Sequence, residues 1–293
     1  MSKNFKTTFT ALVTPMLGGK VDFSSLENLV GFQIKNGVKD FVINGTTGES
    51  PTVSFEEMKE IFSLVKSKTP GGTLVYGSGS NSTEKTKEDS VQAQKLGADA
   101  VLVVVPYYNK PTQQGLYLHF QAVAKSIGIP TILYNVPGRT ITALSVSTMR
   151  RLSAEQGIIG VKEASGNIQT ASEIVKECGP EFVLLSGDDG TYADFLKAGG
   201  HGVISVASHI LPKEFVDVKR LSENKEYGQS QAIIQKYSQL IQLLFVEANP
   251  IPVKMALHWM GILKSPECRL PLTTLSEEHH GALKAEMKKQ GLL

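Results

Sequence analysis

One pattern recurs eight times along this 293-residue chain and restricts its fold more than any other feature. A short run of β-branched and aliphatic residues is followed by a polar turn, then an amphipathic stretch of 3.6-residue period, then glycine. The apolar runs fall at 8–13, 41–44, 74–77, 100–105, 131–134, 159–162, 183–186 and 202–206. Their near-continuous apolar character suits parallel strands covered by helices. Strand and helix alternating every ~25–30 residues predict a parallel sheet with helical crossovers. Eight units, rather than five or six, favour a closed (β/α)8 TIM barrel of the α/β class over an open doubly wound sheet.

The helical stretches carry their own boundaries. Ser54-Phe55-Glu56-Glu57 reads as a capping box, with Met58, Ile61, Phe62 and Val65 as the apolar stripe behind it. Asp22 can cap a helix presenting Leu26, Leu29 and Val30, which closes at Asn36-Gly37. Gly97, Gly128 and Gly179 are expected to stop three more. The barrel is expected over 1–224. Residues 225–293 read as a helical extension packed on it, with helices at about 226–247, 251–263 and 276–290.

Composition excludes several classes of partner. Thirty basic and 28 acidic residues leave a net charge of +2, and only Lys288-Lys289 stands out as a run. A nucleic-acid or membrane-surface binder needs a concentrated basic face, so neither partner is expected. The N-terminal residues are not followed by an apolar h-region, and the longest apolar stretch, 100–106, is too short to span a bilayer. Two cysteines, Cys178 and Cys268, make a disulfide framework or zinc site improbable and fit a reducing cytoplasm.

Barrels of this kind build their sites from the loops after the strand C-termini. Lys162 is the sharpest residue there, ending an otherwise apolar strand with Gly160 two residues earlier on the same face. An inward lysine is partly desolvated, and desolvation favours the neutral amine that attacks a carbonyl carbon. The bland alternative is a lysine that snorkels to solvent or pairs with Glu163. Tyr134 ends the preceding strand and could relay protons, or simply be a core tyrosine. Gly45-Thr46-Thr47-Gly48 exposes backbone N–H groups and two hydroxyls suited to a carboxylate, although a structural turn uses the same residues. Arg139, in a Pro-Gly-Arg loop, could grip a carboxylate bidentately or lie idle on the surface.

Other features are weaker. Gly77-Ser78-Gly79-Ser80-Asn81-Ser82 lacks the third glycine of a dinucleotide fingerprint, and Asp99 precedes a strand instead of ending one. No cofactor is therefore expected. His279-His280 has no metal-ligand spacing and is expected to face solvent, so no metal site is expected either. No basic residues crowd the turns after the seventh and eighth strands, which disfavours a phosphorylated substrate.

Taken together, Phe9-Thr10-Ala11-Leu12-Val13-Thr14-Pro15, the Gly45–Ser50 motif, Pro106-Tyr107-Tyr108-Asn109, Tyr134-Asn135-Val136-Pro137-Gly138-Arg139-Thr140, Val161-Lys162-Glu163, Asn249-Pro250-Ile251-Pro252-Val253-Lys254 and Arg269-Leu270-Pro271 closely resemble the dihydrodipicolinate synthase family. That family belongs with N-acetylneuraminate lyase among the pyruvate-dependent class I aldolases. The resemblance covers nearly the whole chain. It implies a lyase condensing pyruvate with L-aspartate 4-semialdehyde, without metal or organic cofactor, on the route to lysine and diaminopimelate.

The same resemblance supplies roles. Lys162 matches the Schiff-base lysine. Thr46, Tyr108 and Tyr134 match a proton relay in which Tyr108 comes from a neighbouring subunit, implying at least a dimer and usually a tetramer of two dimers. Thr47 and the Ile204 carbonyl match the pyruvate pocket, Gly187 the substrate-binding set, and Arg139 the receiver of the semialdehyde's carboxylate. One departure stands out. Lysine-inhibited members have histidines where Phe55 and Met58 stand here, and an acid where Lys85 stands. A cationic ligand meeting Lys85 is repelled, so weak or absent inhibition by L-lysine is expected. The rival readings are an aldolase for 2-keto-3-deoxy sugar acids or N-acetylneuraminate, and a non-catalytic barrel that binds a keto acid.

Overall fold

The computed structural model describes residues 3–293. Eight strands form its central sheet: β1 (Thr8–Ala11), β2 (Asp40–Ile43), β3 (Leu74–Gly77), β4 (Ala100–Val104), β5 (Thr131–Asn135), β6 (Ile158–Glu163), β7 (Val183–Ser186) and β8 (Gly202–Ser205). The sheet closes on itself in the order β1-β8-β7-β6-β5-β4-β3-β2, which is the expected (β/α)8 barrel. All eight expected strands are present, with ends moved by no more than two residues. The apolar side chains within them are buried almost without exception, as strands covered on the outside by helices require.

Helices α1 (Phe23–Lys35), α2 (Phe55–Lys68), α3 (Thr83–Leu96), α4 (Gln113–Lys125), α5 (Val146–Ser153), α6 (Ile168–Cys178), α7 (Tyr192–Lys197) and α8 (Pro212–Glu223) follow the strands in turn. Their termini obey local chemistry. Asp22 accepts from the Ser24 and Ser25 N–H groups at the start of α1, and Ser54 and Glu57 form a reciprocal capping box on α2. Gly97 and Gly179 sit at the ends of α3 and α6 with positive φ. Helix α4 stops earlier than expected, at Lys125, ahead of Gly128. Three further helices, α9 (Tyr227–Leu243), α10 (Ile251–Trp259) and α11 (Glu277–Lys289), occupy the C-terminal stretch. Among the described residues no helix is long and apolar enough to cross a membrane.

The chain divides into two compact units. One comprises Thr73–Ile204 with the N-terminal stretch up to Thr7. Its strands pair in parallel, with Tyr134 opposite Lys162 and Asn135 opposite Glu163 between β5 and β6, and Lys162 opposite Leu185 between β6 and β7. Gly160 makes the second pairing possible. A Cβ there would lie 2.2 Å from the Val183 carbonyl oxygen, so any other residue would push β6 off β7.

The other unit comprises Thr8–Gly72 and Ser205–Leu293. Phe9, Thr10 and Ala11 of β1 pair with Asp40, Phe41 and Val42 of β2. A polar knot ties this unit together: Thr10 Oγ1 donates to Gln33 Oε1 over 2.8 Å, and Gln33 Nε2 donates to the Ser208 and His209 carbonyls. His209 is wholly buried, with Nδ1 2.8 Å from the Val206 carbonyl and Nε2 accepting from the Val13 N–H. Those partners fix the neutral tautomer, and burial pushes its pKa down to about 4.

The C-terminal histidine pair departs from the expected solvent exposure. His279 and His280 do not simply face solvent; both are half-buried. His280 meets the Leu275 carbonyl at 3.0 Å and the edge of Trp259, while His279 lies 3.8 Å from Glu247.

Candidate active site

Lys162 is the last but one residue of β6 and is only 7% exposed. Its Nζ lies 4.3 Å from the centre of the Tyr134 ring, the residue directly across the β5–β6 ladder. The strand pairing therefore brings together the two side chains that the sequence singled out at adjacent strand ends. Glu163 does not take up the lysine. It turns to Asn135, accepting from Nδ2 over 2.7 Å, and to the Ser165 N–H over 2.8 Å. Asn135 in turn accepts from the Leu144 N–H, so the strand ends on either side of Lys162 and Tyr134 are cross-braced.

Gly187, just beyond β7, keeps the lysine's path open. A Cβ there would lie 2.8 Å from Lys162 Cε and 2.5 Å from the Ala164 Cβ. Both values are shorter than side chains tolerate, so glycine is required for the lysine to keep this course. Ile204, on β8, is 2% exposed, with its neighbour Val203 opposite Ser186.

Two residues of the same unit behave differently. Tyr108 is 88% exposed, with a φ of 75°, and Arg139 is exposed on the short helical turn Pro137–Thr140. One chain encloses Lys162 and Tyr134 and leaves Tyr108 and Arg139 on its surface. Ile141, which ends the Arg139 turn, is a β-branched residue at φ 64°. Such a residue is costly in the left-handed region, and local strain of this type gathers at functional loops.

In the other unit, Thr46 and Thr47 form a 3-10 turn with Gly48, directly after β2. Thr46 is half-buried and Thr47 is 4% exposed. Two non-glycine residues of positive φ, Asn44 at 61° and Glu49 at 57°, flank the turn. Thr14 Oγ1 donates to the Gly48 carbonyl over 2.7 Å, and Asn249 Nδ2 donates to Thr47 Oγ1 over 2.9 Å. A hydroxyl that accepts this bond keeps its own proton for another acceptor. Behind the turn Glu49 and Lys254 form an ion pair whose side chains are 1% and 0% exposed.

Asn249, Lys254, Asn135 and Glu163 are supporting residues whose work the sequence reading did not identify. The only local signal is their place in the segments 134–140, 161–166 and 249–254, where polar side chains interrupt apolar or proline-rich runs. No periodicity reveals partners some two hundred residues apart.

A closed barrel with an enclosed lysine at a strand end defines an α/β-barrel protein equipped for carbonyl chemistry. The chain belongs to the Dihydrodipicolinate synthetase family, whose model it matches over residues 4–290. It is 58% identical over 292 residues to the 4-hydroxy-tetrahydrodipicolinate synthase of Bdellovibrio bacteriovorus, covering 99% of this chain and 100% of that one. Among solved structures it is similar to dihydrodipicolinate synthase from Thermotoga maritima, with a TM-score of 0.95, 40% identity and 98% of each chain covered. It is equally similar, with a TM-score of 0.95 and 40% identity, to the chloride-inhibited dihydrodipicolinate synthase from Acinetobacter baumannii complexed with pyruvate, covering 98% of this chain and 99% of that one.

Proposed function

We propose that this chain is a lyase that condenses pyruvate with L-aspartate 4-semialdehyde to give 4-hydroxy-tetrahydrodipicolinate, through a Schiff base on Lys162. The observation that carries this reading is the lysine itself, shut away from water against the Tyr134 ring with Gly187 clearing its path. Membership of the family and the 58%-identical synthase support the choice of substrates.

The Lys162 amine adds to the keto carbon of pyruvate, water leaves, and the iminium draws electrons from the neighbouring methyl group. Loss of a methyl proton gives an enamine. Its carbon attacks the aldehyde, and the amino group of the second substrate then displaces Lys162 as the ring closes. Each stage moves a proton. In this reading Thr46, Tyr134 and Tyr108 carry those protons through hydroxyls, which adds no further charge beside the iminium. Thr47, Gly187 and the Ile204 carbonyl line the pyruvate pocket, and Arg139 receives the semialdehyde's carboxylate.

The exposure of Tyr108 on a single chain fits a residue that reaches into a neighbouring subunit, and we read the assembly as a homotetramer of two dimers. The extension 225–293 is read as packing on the barrel, and the setting as the cytoplasm. The test is borohydride reduction with pyruvate present, followed by peptide mapping, alongside turnover of the semialdehyde. The expected outcome is a single reduced adduct on the Lys162 peptide, absent from Lys162→Ala. Labelling of another site, or full-rate condensation by Lys162→Ala, overturns the reading.

A further inference from the structure

Glu49 and Lys254 carry opposite charges into a place where water does not reach, and neither belongs to the reacting set. Such a pair is a poor way to stabilise a fold. Desolvating two ions offsets most of their attraction, and apolar side chains of equal volume often serve as well or better. What the pair does offer is fixed geometry, because every polar atom in it is committed. Lys254 Nζ lies 2.5 Å from Glu49 Oε1 and donates to the Thr14 carbonyl over 2.9 Å. Glu49 Oε2 accepts from the Arg269 N–H over 2.8 Å.

Through Glu49 and Thr14 this network bears on the Gly45–Gly48 turn. Glu49 closes it, held at φ 57° with its N–H bonded to the Thr46 carbonyl over 3.1 Å. Thr14, whose carbonyl takes the Lys254 bond, sends its own hydroxyl to the Gly48 carbonyl. Asn249, five residues before Lys254 and just ahead of α10, donates to Thr47 Oγ1. One short segment therefore grips the turn twice, through the charge pair and through the amide.

We propose that the buried Glu49–Lys254 pair, together with Asn249, is a positioning device that sets affinity for the keto acid's carboxylate by fixing the Thr46–Thr47 turn. None of the three residues touches the reacting atoms. The proposal rests on the reading above in which Thr47 receives that carboxylate. With the turn held, the Thr47 hydroxyl and the turn's backbone meet the carboxylate without first having to be ordered, and pre-ordering of this kind appears as tighter binding. Loosening the turn therefore raises the pyruvate concentration needed for half-maximal imine formation and leaves the affinity for the semialdehyde, which Arg139 receives, largely alone.

The experiment follows borohydride trapping of pyruvate on Lys162 as a function of pyruvate concentration, with steady-state kinetics for both substrates. The double variant Glu49→Gln/Lys254→Met removes both charges at similar volume and avoids leaving one ion unpaired. Asn249→Ala removes the amide and leaves the pair intact. Each is expected to raise half-saturation by pyruvate, by about tenfold for the double variant and about threefold or more for Asn249→Ala. Maximal trapping and the KM for the semialdehyde are expected to stay within about twofold of wild type. A residue that served the fold alone would lower the thermal midpoint and leave half-saturation unchanged, and that result in either folded variant overturns the proposal. Should the double variant fail to fold, Asn249→Ala decides. Failure of the wild-type protein to trap pyruvate at Lys162 would instead sink the functional reading.

Discussion

At the scale of single residues, the site depends as much on an absent methyl group as on the lysine. Gly187→Ala would place a carbon 2.8 Å from Lys162 Cε and 2.5 Å from Ala164 Cβ, so either the lysine or the 164–166 segment must move. The expected result is a folded protein destabilised by about 1–3 kcal/mol, as for other over-packed sites. Pyruvate trapping should slow by about 100-fold, since displacement of a reacting group by an ångström costs on that order. Trapping at the wild-type rate would show that the lysine does not need this path. Phe55, Met58 and Lys85 support a second expectation at this scale. Phe55 is 42% exposed, Met58 is buried, and Lys85 lies 3.4 Å from Asp89. No histidine stands at the first two positions and no acid at the third, so L-lysine finds little there to bind. Half-maximal inhibition by lysine is expected only above roughly millimolar concentrations, where binding energy falls to about 4 kcal/mol; inhibition at submillimolar lysine refutes it.

At the scale of elements, acid sensitivity comes in two stages. His209 lies between β8 and α8, and burial lowers its pKa from 6.5 to about 4. Between these values the unfolded chain binds a proton that the folded chain refuses, so its contribution is full above about pH 6.5 and is lost as pH falls towards 4. The loss is up to about 3 kcal/mol. His119, also buried and lowered to about 4 by desolvation, adds in the same direction. Below pH 4.5 a carboxylate takes over. Arg269 holds Glu57, the acid of the α2 capping box, down to about 2, so that contribution is present above 4.5 and fades towards 2. Thermal midpoints of wild type and His209→Gln between pH 8 and 4 test the first stage. The variant, although weaker at pH 8, should show the shallower decline. A decline as steep as wild type means that His209 is not the group being protonated.

The elements themselves were legible because each is written locally. Runs such as Ile158-Ile159-Gly160-Val161 and caps such as Ser54 with Glu57 need no distant information, and the chain obeys them. Strand ends moved by a residue or two because ladder pairing, not composition, decides where a strand stops; Glu163 joins β6 through its pairing with Ser186. The supporting residues were illegible for the opposite reason. Asn135 and Glu163 are 28 positions apart and Asn249 and Thr47 are 202 apart, and nothing local to any of them names its partner. Lys162 and Tyr134 could be paired in advance only because consecutive strands of a parallel barrel are neighbours.

At the scale of the whole molecule, the exposed Tyr108 gives the proposed assembly a direct test. If its hydroxyl serves the lysine of another subunit, Tyr108→Phe and Lys162→Ala proteins, each nearly inactive alone, should regain activity when mixed under conditions that let subunits exchange. The mixed dimer then holds one site with both wild-type groups. Mixtures no more active than their components would mean that each chain uses its own tyrosine.

The separation of Glu49 from Lys254 has a consequence for how the protein is made. The acid leaves the ribosome 205 residues ahead of the base that neutralises it. Until that late stretch arrives, the carboxylate has no reason to leave water, and the turn it closes has nothing to brace it. A nascent chain can thus present its lysine early while the pocket for the first substrate still lacks its final shape, and the site can be completed only once Lys254 and Arg269 have left the ribosome.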